Sequence, residues 1–411
     1  MSARAAERNV VFVAPFAMDA TLRFSRGLAG LSGVRVLGVF QKAPRGRDGA
    51  HFADLVEVED ALDPGSIARG VKQLQARHGA LHRITGILEP LQTPLAIVRQ
   101  HFGVAGPDPR TAERFRAKAL MKDTLRSHGL PCARHCLLTS PSDAVAFVRD
   151  VGFPIVLKPP AGAGCRSTFK VDDRATLEGL LAQLAPTPSA PVLAEEFLRG
   201  EEGSCELVVL GGTVQAHSIS RYLPGPLEVM RTPWIQWVCL LPRDIGDGAS
   251  QEIARLGQRT VQVLGLEDGV AHLEWFRRDD GSLAIGEIAA RPPGGQLTMM
   301  TGLVHDVDIY RTWARAVVDS AFDGPWTRRH AAATVFLRGS GPGTRVRQVE
   351  GLGEVHRRIG TLVVEAKLPL PGDPRSDSYE GEGYLVLLDD SEDVVRDAVG
   401  IVLDTVRIRY E

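Results

Sequence analysis

The sequence predicts an α/β protein that begins with a parallel, helix-covered sheet and continues as a mixed α+β region. Over residues 1–108, short apolar runs alternate with helical stretches, which favours βαβ units. Two hairpin signals follow, because Gly211-Gly212 joins two apolar runs and Asp280-Gly281 joins two more. Antiparallel strands are therefore expected in the middle of the chain.

Residues 1–108 contain four apolar runs of strand length, with helical stretches between them. The strands are expected at Val10–Val13, Val34–Phe40, Asp54–Val58 and Ile84–Leu88, and the helices at Thr21–Leu31 and Ser66–Arg77. The turn after the first strand, Ala14-Pro15-Phe16-Ala17-Met18, has no G-x-G-x-x-G pattern. The dinucleotide-binding version of this fold is therefore disfavoured.

Turn residues at Gly106-Pro107-Asp108-Pro109 separate this region from the next one. Asp108 suits a helix N-cap and Pro109 a first helical position, and Gly129 followed by Pro131 predicts where that helix ends. The later elements are expected as strands at Ile155–Lys158, Val192–Phe197, Cys205–Leu210, Thr213–Ser220 and Tyr384–Leu388, and as helices at 251–264 and after Ser391.

Composition and charge narrow the class of protein. A chain of 411 residues has room for two to four packed units. It is 44% hydrophobic and 24% charged with a net charge of −2, so no basic field favours nucleic acid or a membrane surface. No apolar run is long enough to span a bilayer, and the five cysteines fit neither a disulfide framework nor a zinc motif. A cytoplasmic protein is expected.

Two glutamates dominate the second hairpin, at 270–289. A two-residue type I′ loop at Asp280-Gly281 pairs 279 with 282, and therefore places Glu274 directly opposite Glu287. Opposed like charges destabilise a sheet by about 0.2–1 kcal/mol, and Mg²⁺ prefers one or two carboxylates together with phosphate oxygens. The pair therefore indicates a metal site, and a solvated hairpin face is the alternative.

Two basic residues stand in informative places. Arg291 follows Glu287 by four residues, on the same face if the strand continues, and its planar fork suits a carboxylate or phosphate. Lys158, one of only seven lysines, ends an apolar strand and opens the glycine-rich stretch 159–167, where an ammonium group can reach phosphates. Lys118 lies within a predicted helix and Lys122 one turn further on, and a solvated helix face is the ordinary interpretation of both.

In this order, the motifs resemble those of the ATP-grasp superfamily over essentially the full chain. Lys118 precedes Gly129-Leu130-Pro131 by the spacing of the first ATP-binding lysine, and Val156-Leu157-Lys158-Pro159 resembles the second. The stretch 195–202 is similar to the adenine-binding linker. The resemblance implies an ATP-grasp fold with an N-terminal α/β domain at 1–108, a small subdomain at 109–190, a large subdomain at 191–330 and a small mixed domain at 331–411.

The resemblance also implies roles for individual residues. The backbone at Glu196 and Leu198 would bind adenine, with Glu195 nearby and Glu202 on the ribose. Glu274 and Glu287 match the two metal-ligating acids, and Arg291 matches the substrate-facing catalytic arginine. At Ala289 the chain departs from the many members that have Asn there, which leaves open how a second Mg²⁺ is completed. The Glu-x-Ala-Ala-Arg sequence looks like the branch of amino-acid ligases that form dipeptides.

The expected activity is an ATP-dependent carboxylate–amine ligase that uses Mg²⁺ or Mn²⁺ and forms an acyl phosphate. Arg291 would stabilise that acyl phosphate and the tetrahedral intermediate formed by the amine. His272, two residues before Glu274, either contacts the substrate amine or is structural. Glu89, at the carboxyl end of the fourth strand, either recognises an amine or is an ordinary loop acid.

Two other functions remain open from the sequence alone. One is an enzyme of the same fold that takes bicarbonate or formate, as biotin carboxylases and purine-pathway relatives do. The other is a non-catalytic ATP-binding protein, against which the two lysines and two glutamates argue. The expected partners are small carboxylates and amines, without nucleic acid or membrane, and a homodimer is left open. The loop Arg221–Leu241, with Trp234 and Trp237, is rich enough in aromatic residues to line a substrate site.

Overall fold

A parallel sheet forms the N-terminal part of the computed structural model, which describes residues 7–162, 167–232 and 234–411. Its strand order is β3-β2-β1-β4. The strands are β1 Arg8–Phe16, β2 Val34–Lys42, β3 Asp54–Glu57 and β4 Leu81–Thr85, and the helices are α1 Asp19–Ala29, α2 Pro64–His78 and α3 Gln92–Phe102. All three strand pairs are parallel, as the sequence predicted.

Strand β1 is buried on both faces. Val10 and Phe12 pack into the hydrophobic cluster on one side of the sheet, and Val11 and Val13 into the cluster on the other side. A parallel strand covered on both faces reads as a continuous apolar run, which is why this element could be found from the sequence.

The fourth strand was predicted three residues too late, at Ile84–Leu88. The chain leaves the sheet after Thr85, where Gly86 passes so close to the neighbouring strand that a Cβ atom would lie 2.6 Å from the carbonyl oxygen of Val13. A short 3-10 turn at Glu89–Leu91 then leads into α3.

The helix expected from Pro109 to Gly129 is divided into α4 Pro109–Arg116 and α5 Lys118–Ser127. The predicted cap is confirmed, since the Asp108 side chain accepts a hydrogen bond from Thr111 N at 2.6 Å. The division occurs at Ala117, and the N–H of Lys118 donates to the carbonyl of Pro160. Lys118 therefore begins α5 instead of lying within a longer helix.

An antiparallel sheet of order β5-β8-β6-β7 follows. Its elements are β5 His135–Leu138, α6 Pro141–Val151, β6 Ile155–Lys158, β7 Phe169–Val171, α7 Arg174–Leu184 and β8 Val192–Glu196. Both helices pack on one face of the sheet and share a hydrophobic cluster with it. The opposite face is left for the site described below.

The largest sheet has eight strands in the order β13-β12-β9-β10-β11-β14-β17-β16. The elements from here to the end of the chain are β9 Glu201–Leu210, β10 Thr213–Leu223, α8 Pro226–Arg231, β11 Trp237–Leu241, α9 Gly248–Leu264, β12 Gly269–Arg277, β13 Leu283–Ala289, α10 Leu297–His305, α11 Ile309–Asp319, β14 Ala331–Leu337, β15 Val346–Glu350, α12 Leu352–Ile359, β16 Val363–Lys367, β17 Gly383–Asp389, α13 Glu392–Thr405 and β18 Arg407–Tyr410. The Gly211-Gly212 turn is confirmed as a two-residue hairpin loop, with Leu210 opposite Thr213.

The eight-stranded sheet runs through the expected boundary between residues 330 and 331. Strands β14, β16 and β17 come from the proposed C-terminal domain and extend the sheet begun by β9 and β12. The division of the chain into four domains remains a prediction. Within the described part of the chain, no helix has the length and apolar character needed to cross a bilayer.

Candidate active site

The hairpin formed by β12 and β13 places Glu274 directly opposite Glu287, as the sequence predicted. The loop that produces this register differs from the predicted one. Arg278 N–H donates to the Ser282 carbonyl at 2.8 Å, so three residues form the loop and Gly281 adopts a φ of +82°.

The register then shifts by one at Gly286, between the pairs 275–285 and 274–287. The extra residue at this bulge restores the pairing of the glutamates.

Polar residues cover one face of β9 beside this hairpin. Antiparallel pairing places Ser204 opposite Glu274 and Glu206 opposite His272. The residues between them, including Cys205 and Leu207, point into the hydrophobic core on the other side. The face shared by β9, β12 and β13 therefore concentrates acidic side chains over an apolar support.

Lys118 binds directly to this acidic face. Its Nζ lies 2.6 Å from Glu287 Oε1 and donates to the carbonyl of Gly162 at 2.8 Å. The side chain of Lys118 is 8% exposed and that of Glu287 is 23% exposed, so this ion pair is partly shielded from water. The resemblance assigned Lys118 to ATP and Glu287 to a metal ion, and the structure brings the two side chains into contact.

Glu195 holds two further lysines together. Its carboxylate lies 2.9 Å from Lys158 Nζ and 3.3 Å from Lys122 Nζ. Burial alone would raise the pKa of Glu195, but the two ammonium groups outweigh it and lower the pKa to about 2. For Lys158, burial favours the neutral form, yet the charges of Glu195, Glu287 and Glu274 raise its pKa. Both groups are therefore charged at neutral pH.

The prediction that Lys122 lies on the surface is wrong. This residue is 1% exposed, and its Nζ also donates to the carbonyl of Gly286 at 2.6 Å. A buried ammonium needs an opposite charge and hydrogen-bond acceptors, which Glu195 and the bulge at Gly286 supply. The sequence contained one signal, because residues four apart lie on the same helix face and Lys122 follows Lys118 by four.

Glu202 lies in an environment that disfavours its charge. Burial is the main cause and the charge of Glu274 adds to it, while Lys158 opposes both, so the pKa of Glu202 rises to about 8. The loop at Gly225 packs closely on this carboxylate, because a Cβ atom there would lie 2.1 Å from Glu202 Oε2. Burial and the neighbouring Glu274 carboxylate therefore both favour the neutral form of Glu202.

His272 is bound to an acid that sequence reasoning missed. Its Nδ1 lies 3.0 Å from Glu206 Oε1, and its Nε2 lies 3.6 Å from Glu274. Burial would lower the pKa of His272, but Glu206 and Glu274 raise it to about 10, so the ring carries a charge at neutral pH. Ser204 donates a further hydrogen bond to Glu206 at 2.7 Å. Alternation along β9 places residues 202, 204 and 206 on one face, and that period was the available signal.

Glu89 and Arg291 meet at the other end of this face. Arg291 Nε donates to Glu89 Oε2 at 2.7 Å, and both side chains are mostly buried. Arg291 Nη1 donates to the carbonyl of Pro292, whereas Nη2 makes no hydrogen bond to a described residue. The contact joins the carboxyl end of the N-terminal parallel sheet to the end of the acidic hairpin.

The linker that resembles an adenine site follows β8. The side chain of Glu196 accepts hydrogen bonds from the backbone N–H and the Nε of Arg134, at 3.0 and 2.6 Å. Its backbone N–H donates to the Arg134 carbonyl. Among the described residues, the N–H of Leu198 has no acceptor, so it is available to a ligand. Residues 163–166 of the glycine-rich stretch lie outside the described residues.

The donor set fits a magnesium ion shared with phosphate groups. In the described ranges, no three or more His, Cys, Asp or Glu side chains form a metal-binding group by themselves. Two opposed carboxylates are what Mg²⁺ uses when substrate phosphates and water complete its coordination. Ala289, opposite His272 in the hairpin, adds no ligand.

Comparison with known proteins agrees with this architecture. Residues 123–304, less than half of the chain, match the family model described as an ATP-grasp domain. The solved L-amino acid ligase from Bacillus licheniformis superposes with a TM-score of 0.81, covering 99% of both chains at 19% identity. The predicted ATP-grasp fold is therefore confirmed for the chain.

Two curated relatives are similar in sequence. The L-arginine-specific L-amino acid ligase of Bacillus subtilis is 28% identical over 269 residues, which is 64% of this chain and 64% of the relative. The D-alanine–D-alanine ligase of Cupriavidus pinatubonensis is 25% identical over 272 residues, 65% of this chain and 79% of the relative. The chain thus spans less than two thirds of the first relative's length. Both names describe ligases of amino acids.

Proposed function

We propose that this chain is an ATP-dependent carboxylate–amine ligase that joins amino acids through an acyl phosphate. The observation that carries the proposal is the opposed pair Glu274 and Glu287. Lys118 and Lys158 lie at one end of this pair, and the ion pair of Arg291 with Glu89 lies at the other. The ATP-grasp domain and the names of the two relatives support it.

The lysine end of the face suits the nucleotide. Lys118 and Lys158 are shielded cations that would bind the terminal phosphates of ATP. Glu195 keeps Lys158 charged and in place. The free N–H of Leu198 and the backbone of Glu196 would bind the adenine edge, and Glu202 the ribose hydroxyls.

Glu274 and Glu287 would hold Mg²⁺ against those phosphates. When bound, the ion neutralises charge that develops on the transferred phosphoryl group. The chain itself limits repulsion between the two acids, because Lys118 contacts Glu287 and His272 lies beside Glu274.

The Arg291 end suits the reacting acid and amine. An oxygen of the substrate carboxylate attacks the terminal phosphorus, the bond to ADP breaks, and an acyl phosphate forms. The amine nitrogen then attacks the acyl carbon, loses a proton, and phosphate leaves with one oxygen of the original carboxylate. The free Nη2 of Arg291 would stabilise the negative oxygens in both steps, and Glu89 would bind a substrate ammonium group.

Phosphate release over a matrix of amino-acid pairs tests the proposal, with mass spectrometry of the products. The expected result is release that requires ATP, Mg²⁺ and two amino acids, with a dipeptide formed in equal amount. Turnover that requires bicarbonate or formate instead would favour the second enzyme class. No turnover with any acid would favour a non-catalytic ATP-binding protein.

The other expectations from the sequence belong to the same proposal. They are small-molecule substrates, a cytoplasmic location, and no nucleic-acid or membrane partner. The oligomeric state, for which a homodimer is one option, is left open. The near-zero net charge and the free, mostly buried cysteines at positions 132, 136, 205 and 239 support them. Light scattering coupled to gel filtration measures the assembly.

A further inference from the structure

A second cleft lies outside the candidate active site and is rich in arginine. Its volume is about 550 Å³, and it is lined by Arg328, by Arg243 from the segment after β11, and by Arg255 from α9. His217 of β10 and Asp244 also line it. Asp244 is the one acidic residue among the described residues that line the cleft, against three guanidinium groups.

Arg328 is buried without a matching acid. It is 8% exposed, and its Nη2 donates to Ser218 Oγ and the Ile219 carbonyl at 3.1 and 3.0 Å. Its Nε and Nη1 have no partner among the described residues. No carboxylate of the described chain forms an ion pair with it, and burial lowers its pKa to about 10. A buried guanidinium group without a counter-ion destabilises the folded protein unless a bound anion offsets its charge.

A purely structural role accounts for only part of this arrangement. Arg328 and Trp326 do satisfy open carbonyls at the edge of β10, at Ile219 and His217. That role uses a single nitrogen of the guanidinium group. It gives no reason for Arg243 and Arg255 to be gathered at the same cleft.

The two exposed arginines leave room for a ligand. The Arg243 side chain donates to the backbone carbonyl of Arg328, which holds that side chain beside the Arg328 backbone. Arg255 makes no hydrogen bond or ion pair with any described residue. Burial and the charge of Arg328 lower the pKa of His217, so its ring is neutral and can donate a hydrogen bond without adding charge.

We propose that this cleft binds a small organic anion that carries a phosphate or carboxylate group. Planar guanidinium forks bind both groups through paired hydrogen bonds. A volume of about 550 Å³ is larger than one inorganic ion requires and is in the range of metabolite sites. None of the lining residues belongs to the candidate active site, so occupancy here is separate from turnover.

Isothermal titration at low ionic strength tests the proposal, with inorganic pyrophosphate and citrate as probes. The variants are Arg255→Gln and Arg243→Gln, both exposed positions where folding should be retained, and thermal melts check this. Arg259→Gln is the matched control, because Arg259 is exposed on the same helix but does not line the cleft.

The expected result is binding of at least one probe with the same Kd in the wild type and in Arg259→Gln. Each cleft variant should raise the Kd of that probe about tenfold, because each variant removes one charge-assisted hydrogen bond. Binding of pyrophosphate alone assigns a phosphate ligand, and binding of citrate alone assigns a carboxylate. The absence of binding by both probes, or an unchanged Kd in both cleft variants, would overturn the proposal.

Discussion

Glu89 accepts a hydrogen bond from Arg291 at 2.7 Å, although the two residues are 202 positions apart in sequence. Glu89 follows the last strand of the N-terminal sheet, and Arg291 follows the hairpin that carries Glu274 and Glu287. One ion pair therefore connects the parallel sheet to the candidate catalytic face. In the proposed reaction, these two side chains bind opposite charges of the same substrates.

This relationship predicts that Glu89 and Arg291 act as a unit. Glu89→Gln should raise the KM of one amino-acid substrate, because the ammonium partner and the orientation of Arg291 are lost together. Arg291→Lys should lower kcat, since the planar fork is lost. A double-mutant cycle on kcat/KM should give a coupling of about 0.5–3 kcal/mol. Effects that simply add would show that the pair has no joint role.

Lys158 is predicted to act on the terminal phosphates. Lys158→Met should raise the KM for ATP and lower kcat together, with kcat/KM falling about 100- to 1,000-fold, because charge develops on the phosphoryl group in the transition state. Lys158→Arg keeps the charge beside Glu195 and serves as the control for a folding defect. Lys72→Met, an exposed position on α2, is the matched control. An effect limited to the KM of an amino acid would place Lys158 in the substrate pocket instead.

Glu287 is predicted to bind the metal. Glu287→Gln should leave the fold intact and abolish turnover, because one carboxylate cannot replace the opposed pair. Phosphate release measured over a range of Mg²⁺ concentrations checks this, and circular dichroism checks the fold. Glu267→Gln, on an exposed turn before β12, should behave as the wild type. Normal turnover in a folded Glu287→Gln protein would contradict the assignment.

His272 is predicted to remain protonated well above neutral pH because of Glu206. Since its folded pKa of about 10 exceeds the ordinary value of 6.5, the stabilisation is fully present below about pH 6.5 and is lost as the pH rises through about 10. The difference in Tm between the wild type and Glu206→Gln should therefore be largest near neutral pH and shrink towards pH 10. A histidine NMR titration should show the His272 ring titrating at lower pH in Glu206→Gln. An unchanged titration would contradict the pairing.

Local patterns made some elements of the site predictable. The opposition of Glu274 and Glu287 was predicted from period-2 alternation with a two-residue loop, and the pairing itself is confirmed. The loop itself was predicted wrongly, since a three-residue turn and a bulge at Gly286 replace the two-residue turn. The bulge could not be foreseen because its benefit is tertiary: the Gly286 carbonyl accepts a hydrogen bond from Lys122.

Contacts between distant segments account for what the sequence did not predict. Lys122, on helix α5, looked like a surface residue because its partner, Glu195, comes from the distant strand β8. Glu206 was missed because its partner, His272, lies 66 positions further along the chain. Trp237 was expected at a substrate site but packs in the core, stacked on Phe336 at 4.8 Å between ring centres. The residue periodicity within one strand or helix carries no information about contacts between such distant positions.

Transfer of a carboxylate oxygen to phosphate is the most direct test of the central claim. The acid substrate is labelled with ¹⁸O in its carboxylate, the reaction is run with ATP, Mg²⁺ and the amine, and the nucleotide and phosphate are analysed by mass spectrometry. An acyl phosphate predicts ADP as the product and one labelled oxygen in the inorganic phosphate. Label found in AMP, with pyrophosphate released, would contradict the account, because the acid would then have been activated at the α-phosphorus.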